Sequence, residues 1–307
     1  MSRAVAEPLA CVLALGASAA LGVWTEGPRW APRPVMENAR PARIVSLSVA
    51  SDELALALVP ERARILALTR FADDPGASNE VEAARTVQGR VTALAEEVLA
   101  LGPDLVLAPR WSAPELMALL AHEGVAVHAI DTPSSIDEVR ASIAGLGAAL
   151  DARPDAEALV HAMDARLARV AVQVAQRPGE VRGPRVVLWS DSGVTPAGGT
   201  LFCEAVERAG ARCALAEQGA RGYVPLTLEG LLALDPDVVV EARYRADGRA
   251  RPLGADAALA ELPAGRGLRA VRTGRVLALP TAHVLSTTHH VADLVEGLAR
   301  LVAEGPP

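Results

Sequence analysis

Beyond the first forty residues the chain has six aromatic side chains: Phe71, Trp111, Trp189, Phe202, Tyr223 and Tyr244. Leu, Val and Ala dominate the rest of the apolar sequence, so these rings call for a separate explanation. Large flat side chains suit a bulky, mostly apolar ligand; the alternative is that each ring only covers a loop. Arg90 and Arg110 offer planar guanidinium groups that could meet a carboxylate or phosphate on such a ligand, or pair with neighbouring acids. Catalysis has no support, because there is no G-x-S-x-G elbow, no H-E-x-x-H, no P-loop and no G-x-G-x-x-G after a strand. Gly145-Leu-Gly147 falls inside a helical pattern and reads as a packing feature. Ser190-Asp191-Ser192-Gly193 has hydroxyls and an acid but no base at a readable spacing. His122, His128 and His161 have no companion at ligand spacing and read as structural. His289-His290 reads as a helix-terminal pair and Asp73-Asp74 as a solvated turn, each in preference to a metal site.

The elements that must position these residues come as a repeat. Residues 100–108 read ALGPDLVLA and residues 233–241 read ALDPDVVVE, each after a helical pattern with an acid at the same offset, Glu96 and Glu229. Pro-Asp followed by apolar residues is a helix stop and then a buried strand. The two halves also open alike, with Arg43-Ile44-Val45 and Arg185-Val186-Val187. The pattern predicts an α/β fold: two Rossmann-like lobes with mainly parallel sheets, over residues 43–151 and 183–307. Strands are expected at Ile44–Leu47, Ile65–Leu68, Leu105–Ala108 and Val125–Ile130, then at Val186–Trp189, Val238–Glu241 and Val276–Leu279. One long helix over residues 154–177 bridges the lobes as a strut and limits them to a hinge motion. Phe71, Trp111, Trp189 and Tyr244 each end or follow a predicted strand, and Tyr223 precedes a helix. Ligands of parallel α/β sheets bind beyond the carboxyl ends of the strands, so most of the rings belong to one rim of each lobe, facing a cleft.

The chain has 307 residues and a formal charge of −7, and all of its Lys-plus-Arg charge is arginine. A net negative chain with no basic block does not suit nucleic acid as the main partner. Residues 1–24 read as a signal peptide or N-terminal anchor, with Arg3 ahead of the apolar run Pro8–Trp24 and the small triplet Ala17-Ser18-Ala19. Cys11 lies near the start of that run rather than after it and makes a poor lipoprotein box. Residues 25–42, with Pro28, Pro32, Pro34 and Pro41, form an extended tether, which puts the body outside the cytoplasm. An oxidising compartment permits a Cys203–Cys213 disulfide, but two buried, unbridged thiols are the expected state.

The segment Arg43-Ile-Val-Ser-Leu-Ser-Val-Ala-Ser-Asp-Glu-Leu resembles the opening of class III periplasmic substrate-binding proteins of ABC importers, which serve cobalamin, haem and ferric siderophores. The likeness continues through Gln88-Gly89, Val98 to Ala108, Gly198 to Glu204 and Pro225 to Val240, and covers nearly all of residues 43–303. It implies a monomer that holds a small-molecule ligand between its lobes and hands it to a permease and its ATPase. It needs no cofactor, since the corrinoid, haem or iron chelate is the cargo. The resemblance places Phe71, Tyr223 and His283 where large aromatics line the cleft; His283 departs from that pattern, and could ligate cobalt or haem iron axially or serve as a hydrogen-bonding rim residue. It also implies a docking carboxylate on each lobe: Glu115 on the first, and Glu204 as the nearest candidate on the second, with Glu207 one turn away. Two rival readings are a zinc- or manganese-binding protein of related architecture, for which only His283 is well placed, and a sensor module no longer tied to transport.

Overall fold

The computed structural model describes residues 40–177, 183–190, 193–243 and 258–303. The leader with Cys11, nearly all of the tether, Asp191, Ser192 and Tyr244 lie outside the described residues. No helix among the described residues is long and apolar enough to cross a membrane.

The first lobe runs β1 (Ile44–Ser46), α1 (Val49–Leu58), β2 (Ile65–Thr69), β3 (Gly89–Val91), α2 (Ala95–Ala100), β4 (Leu105–Pro109), α3 (Pro114–His122), β5 (Ala126–Ile130) and α4 (Ile136–Ala149). Its five strands are ordered β3-β2-β1-β4-β5, and every neighbouring pair is parallel. After the bridging helix α5 (Arg153–Ala175), the second lobe has β6 (Arg185–Trp189), β7 (Val194–Pro196), α6 (Leu201–Arg208), β8 (Arg212–Cys213), β9 (Tyr223–Pro225), α7 (Leu228–Leu234), β10 (Val238–Arg243), β11 (Val276–Pro280), α8 (Thr281–Val284) and α9 (Val291–Ala303). Its main sheet is parallel, ordered β11-β10-β6-β8, while β7 and β9 form a separate antiparallel pair. The short strands β3, β7, β8 and β9 carry no continuous apolar run, so hydrophobic patterning does not reveal them.

The repeat in the sequence is a repeat of hydrogen bonds. Gly102 and Asp235 occupy the same place in the two copies, and both take left-handed backbone (φ 57° and 39°) at the end of a helix. Two residues later, Asp104 accepts from the backbone N–H groups of Ala42 and Arg43 at 2.8 and 3.0 Å, and Asp237 accepts from that of Arg185 at 2.8 Å. Each aspartate also donates its own N–H to the carbonyl of the same arginine, at 3.0 Å in both lobes. A helix stop is thereby tied to the first residue of each lobe.

Helix α5 turns Ala156, Met163, Leu167 and Val170 inward and packs against α1 and α4 of the first lobe and α6 and α9 of the second. One continuous core therefore joins Ile44, Leu54 and Leu105 to Val186, Val206 and Val295, while the far face of each sheet packs on its own smaller cluster. Cys203 and Cys213 form a disulfide, which corrects the expectation of free thiols. A left-handed glycine, Gly210, turns the chain back after α6 so that β8 returns beside it, bringing the two Cα atoms to 5.3 Å, within bridging range.

Gly147 packs α4 against α5: a Cβ there would lie 2.4 Å from the Cβ of Ala156, whereas one at Gly145 would meet nothing nearer than 3.9 Å. Chemical denaturation should show Gly147→Ala losing about 1–3 kcal/mol. Gly145→Ala, exposed on the same helix, should instead gain up to about 1 kcal/mol.

Candidate functional site

Because each main sheet is parallel, its carboxyl ends share one rim, and Phe71, Trp111 and Trp189 fall at strand ends there. Phe71 lies just past β2 and Trp111 just past β4. Trp189 is the last residue of β6, His283 sits in α8 directly after β11, and Tyr223 opens β9. Trp111 is 50% exposed and Tyr223 42%, so each lobe presents a large ring to solvent. Phe71, Trp189 and His283 are half-buried, with the Arg70 guanidinium 4.9 Å from the Phe71 ring centre and Trp189 packed on the smaller core of its lobe. Phe202 is buried in the shared core and takes no part in the rim.

Two consecutive acids at the start of α1 organise the rim, and neither stands out in the sequence. The wholly buried Asp52 accepts from the Thr69 hydroxyl at 2.5 Å and from the Thr69 N–H at 3.2 Å, and Thr69 Oγ1 in turn accepts from the Phe71 N–H at 3.3 Å. Glu53, also buried, accepts from the N–H and the side-chain amide of Asn79 at 2.8 and 2.9 Å. Its other oxygen accepts from the Thr288 hydroxyl of the second lobe at 2.6 Å. Asn79 also donates to the Ala282 carbonyl at 3.0 Å, and the Ala282 N–H donates to the Gly76 carbonyl at 3.1 Å. The loop after β2 is thus bound to the segment after β11, and the two rims meet. A hollow of about 280 Å³ opens there, lined by Ser78 and Glu80 from one lobe and His283 from the other. Burial pushes the His283 imidazole below its ordinary pKa, so the ring facing this hollow favours its neutral form.

Beside it, Glu80 reaches across to the second lobe. Its Oε1 lies 3.0 Å from His290 Nε2 and 3.7 Å from His289 Nε2. His290 Nδ1 lies 2.8 Å from Asp293, which with Glu296 is held by Arg166 of the bridging helix at 2.5 and 2.8 Å. The two imidazoles hold the Glu80 carboxyl down at about 2. Burial opposes a charge on His290, but Asp293 and Glu80 outweigh it and hold this imidazole up at about 9. Asp293 is kept well below the usual carboxylate range by His290 and Arg166, which overcome its burial. The histidine pair does precede the last helix, as the sequence indicates; its partner Glu80 is 209 and 210 residues away in the chain, and nothing local reveals it.

The other predicted residues fall as follows. Arg90 makes a two-point bond to Asp73 at 2.6 and 2.7 Å and donates to the carbonyls of Ala84, Val87 and Gly89, so its guanidinium holds the rim loop. Arg110 pairs with Asp131 through both Nε and a terminal nitrogen. Pairing with acids is the alternative seen for both. Asp73 and Asp74 lie in a turn, with Asp74 accepting from the Gly76 N–H at 2.8 Å. Glu115 is exposed in the first turn of α3. Glu204 caps α4 by accepting from the Ile136 N–H at 2.8 Å and also binds Arg208, whereas Glu207 is exposed. His128 is mostly buried beside the Arg110–Asp131 pair, and its pKa is lowered chiefly by that burial; His161 lies on the exposed face of α5.

The acids at the start of α1 generate two predictions. Glu53→Ala strands the Thr288 hydroxyl and the Asn79 amides, so denaturation should show a loss of about 2–3 kcal/mol. Burial raises the Asp52 carboxyl from 3.8 to about 6 against hydrogen bonds that favour its ionised form. The folded state therefore holds this proton more tightly than the unfolded chain does, and Asp52 supports folding most at low pH. As pH rises from about 4 to about 6, the stability of wild type relative to Asp52→Asn should fall by roughly 3 kcal/mol, then stay level. A difference that does not change with pH would contradict the assignment.

Comparison with known proteins agrees with this geometry. A profile of the periplasmic binding protein family matches residues 44–282. A cobalamin-binding protein of Halobacterium salinarum is 30% identical over 209 residues, covering 67% of this chain; the chain spans only about half (54%) of that protein's length. Among solved structures, the periplasmic haem-binding protein BhuT in complex with two haems superposes with a TM-score of 0.71 and 28% identity, over 88% of this chain and 100% of BhuT. A periplasmic haem-binding protein from Pseudomonas aeruginosa gives 0.70 and 26% over 87% of this chain and 94% of its own. A fold of two parallel-sheet lobes joined by one long helix is thus shared with solute-binding proteins, and the chain belongs to the periplasmic binding protein family.

Proposed function

We propose that this protein is the extracytoplasmic substrate-binding component of an ABC importer, carrying a bulky, flat ligand of the corrinoid, haem or iron-chelate type between its lobes. The observation that carries this reading is the pair of half-exposed rings, Trp111 just past β4 of the first lobe and Tyr223 at the start of β9 of the second. An apolar ring left in water on each rim gains contact when a flat ligand covers it. Phe71 and Trp189, which end or follow strands of the two main sheets, add further rings, and His283, which lines the hollow, is the candidate axial ligand. Arg110, more exposed than Arg90, is the arginine better placed to reach an acidic group of the ligand. The cobalamin-binding and haem-binding relatives support the ligand class.

Delivery to a permease and its ATPase requires a docking group on each lobe. Glu115 is the candidate on the first lobe; on the second, Glu204 is committed to Ile136 and Arg208, and the exposed Glu207 shares the role. Charged groups on two braced lobes steer encounter and fix register. The N-terminal segment acts as signal peptide or anchor.

Fluorescence titration of the purified protein with haemin, cobalamin and ferric siderophores tests the reading. One of these should bind at micromolar concentration or tighter, and Trp111→Ala and Tyr223→Ala should each weaken it roughly tenfold. Failure of all of these ligands to bind, or two ring variants of unchanged affinity, would overturn it. Glu115→Arg should leave ligand affinity intact and reduce uptake through the cognate permease; undiminished uptake would remove Glu115 from docking.

A further inference from the structure

The Glu80–His289–His290 cluster has more structure than an ion pair requires. Its three side chains each offer one donor atom, and these atoms all lie within 4.8 Å of one another. A zinc-class ion held ~2.0–2.1 Å from each donor in tetrahedral geometry sets its donors roughly 3.3 Å apart. The measured separations from Glu80, 3.0 and 3.7 Å, bracket that spacing. Asp293 bonds the other ring nitrogen of His290 at 2.8 Å, the carboxylate–histidine arrangement that orients a metal-binding imidazole, and Arg166 fixes Asp293 in turn. His289 is packed on His290 with ring centres 4.1 Å apart, and its buried Nδ1 has no hydrogen-bond partner among the described residues. Glu80 also lines the hollow at the rim, which leaves room for a water as fourth ligand.

We propose that Glu80, His289 and His290 form a divalent-cation site of the zinc class that ties the two lobes together. The chemistry is that of a borderline cation: two imidazole nitrogens and one carboxylate oxygen select zinc or cobalt over magnesium or calcium, which prefer oxygen alone. On binding, the ion takes the place of the proton shared between His290 Nε2 and Glu80, and that proton leaves to solvent. Since Glu80 comes from the loop after β2 and both histidines precede α9, the ion is a cross-link between lobes as well as a bound ligand. The site does not depend on which organic ligand the cleft carries.

The test uses the full chain, free of any histidine tag and stripped with a chelator, titrated with zinc against a chromophoric competitor in the absence of haem or cobalamin. One equivalent should bind per chain, the melting temperature should rise, and cobalt(II) should give the visible absorption of a four-coordinate site. Glu80→Gln and His289→Ala should each weaken zinc binding by ~100-fold or more, at least what loss of an outer-shell partner produces. His289→Ala removes the 3.7 Å contact to Glu80 but leaves the Glu80–His290 and His290–Asp293 contacts in place, so its fold, followed by circular dichroism, should survive. No stoichiometric zinc binding, or equal binding by wild type and both variants, would overturn the proposal.

Discussion

A carboxylate buried between two lobes is stable only where donors surround it, and Glu53 meets that condition by drawing them from both sides. Asn79 supplies two donors from the first lobe and Thr288 one from the second. The approach of the rims follows from this arrangement. The loop after β2 cannot move away from the segment after β11 without breaking hydrogen bonds to the buried Glu53 side chain. Asp52, one residue earlier, does the corresponding work inside the first lobe by tying α1 to the end of β2 and, through Thr69, to Phe71. Two neighbouring acids on one helix thus set the position of the first lobe's ring and of the opposite lobe's edge.

Helix α5 supplies the complementary restraint. Its buried face belongs to a core that runs through both lobes, so parting them would open a shared hydrophobic seam. Arg166, on the same helix, reaches the acids of α9 and extends the polar contact between lobes down to the strut. The opposite faces of the two sheets pack on independent clusters, one in each lobe.

Much of this was legible in the sequence because its causes are local. ALGPD and ALDPD each encode a helix end, a left-handed residue and an aspartate aimed back at the lobe's first strand, and the structure repeats those contacts almost atom for atom. The placement of Phe71, Trp111 and Trp189 at strand ends follows from strand prediction alone. The acids that join the lobes were not legible. Glu53 meets Thr288 across 235 residues, Glu80 meets His290 across 210, and an acid near a helix start ordinarily means no more than a favourable dipole. The disulfide is hidden in the sequence for a related reason: its formation depends on the tight return from α6 to β8, which a spacing of ten residues does not reveal.

The central claim is that one ligand contacts the carboxyl-end rims of both lobes at once. Amide hydrogen exchange with and without haemin or cobalamin tests it most directly. The account predicts slowed exchange in the loop after β2 and around Trp111 in the first lobe, together with β9 and the segment after β11 in the second. Protection confined to one lobe, or spread over faces remote from both rims, would contradict it.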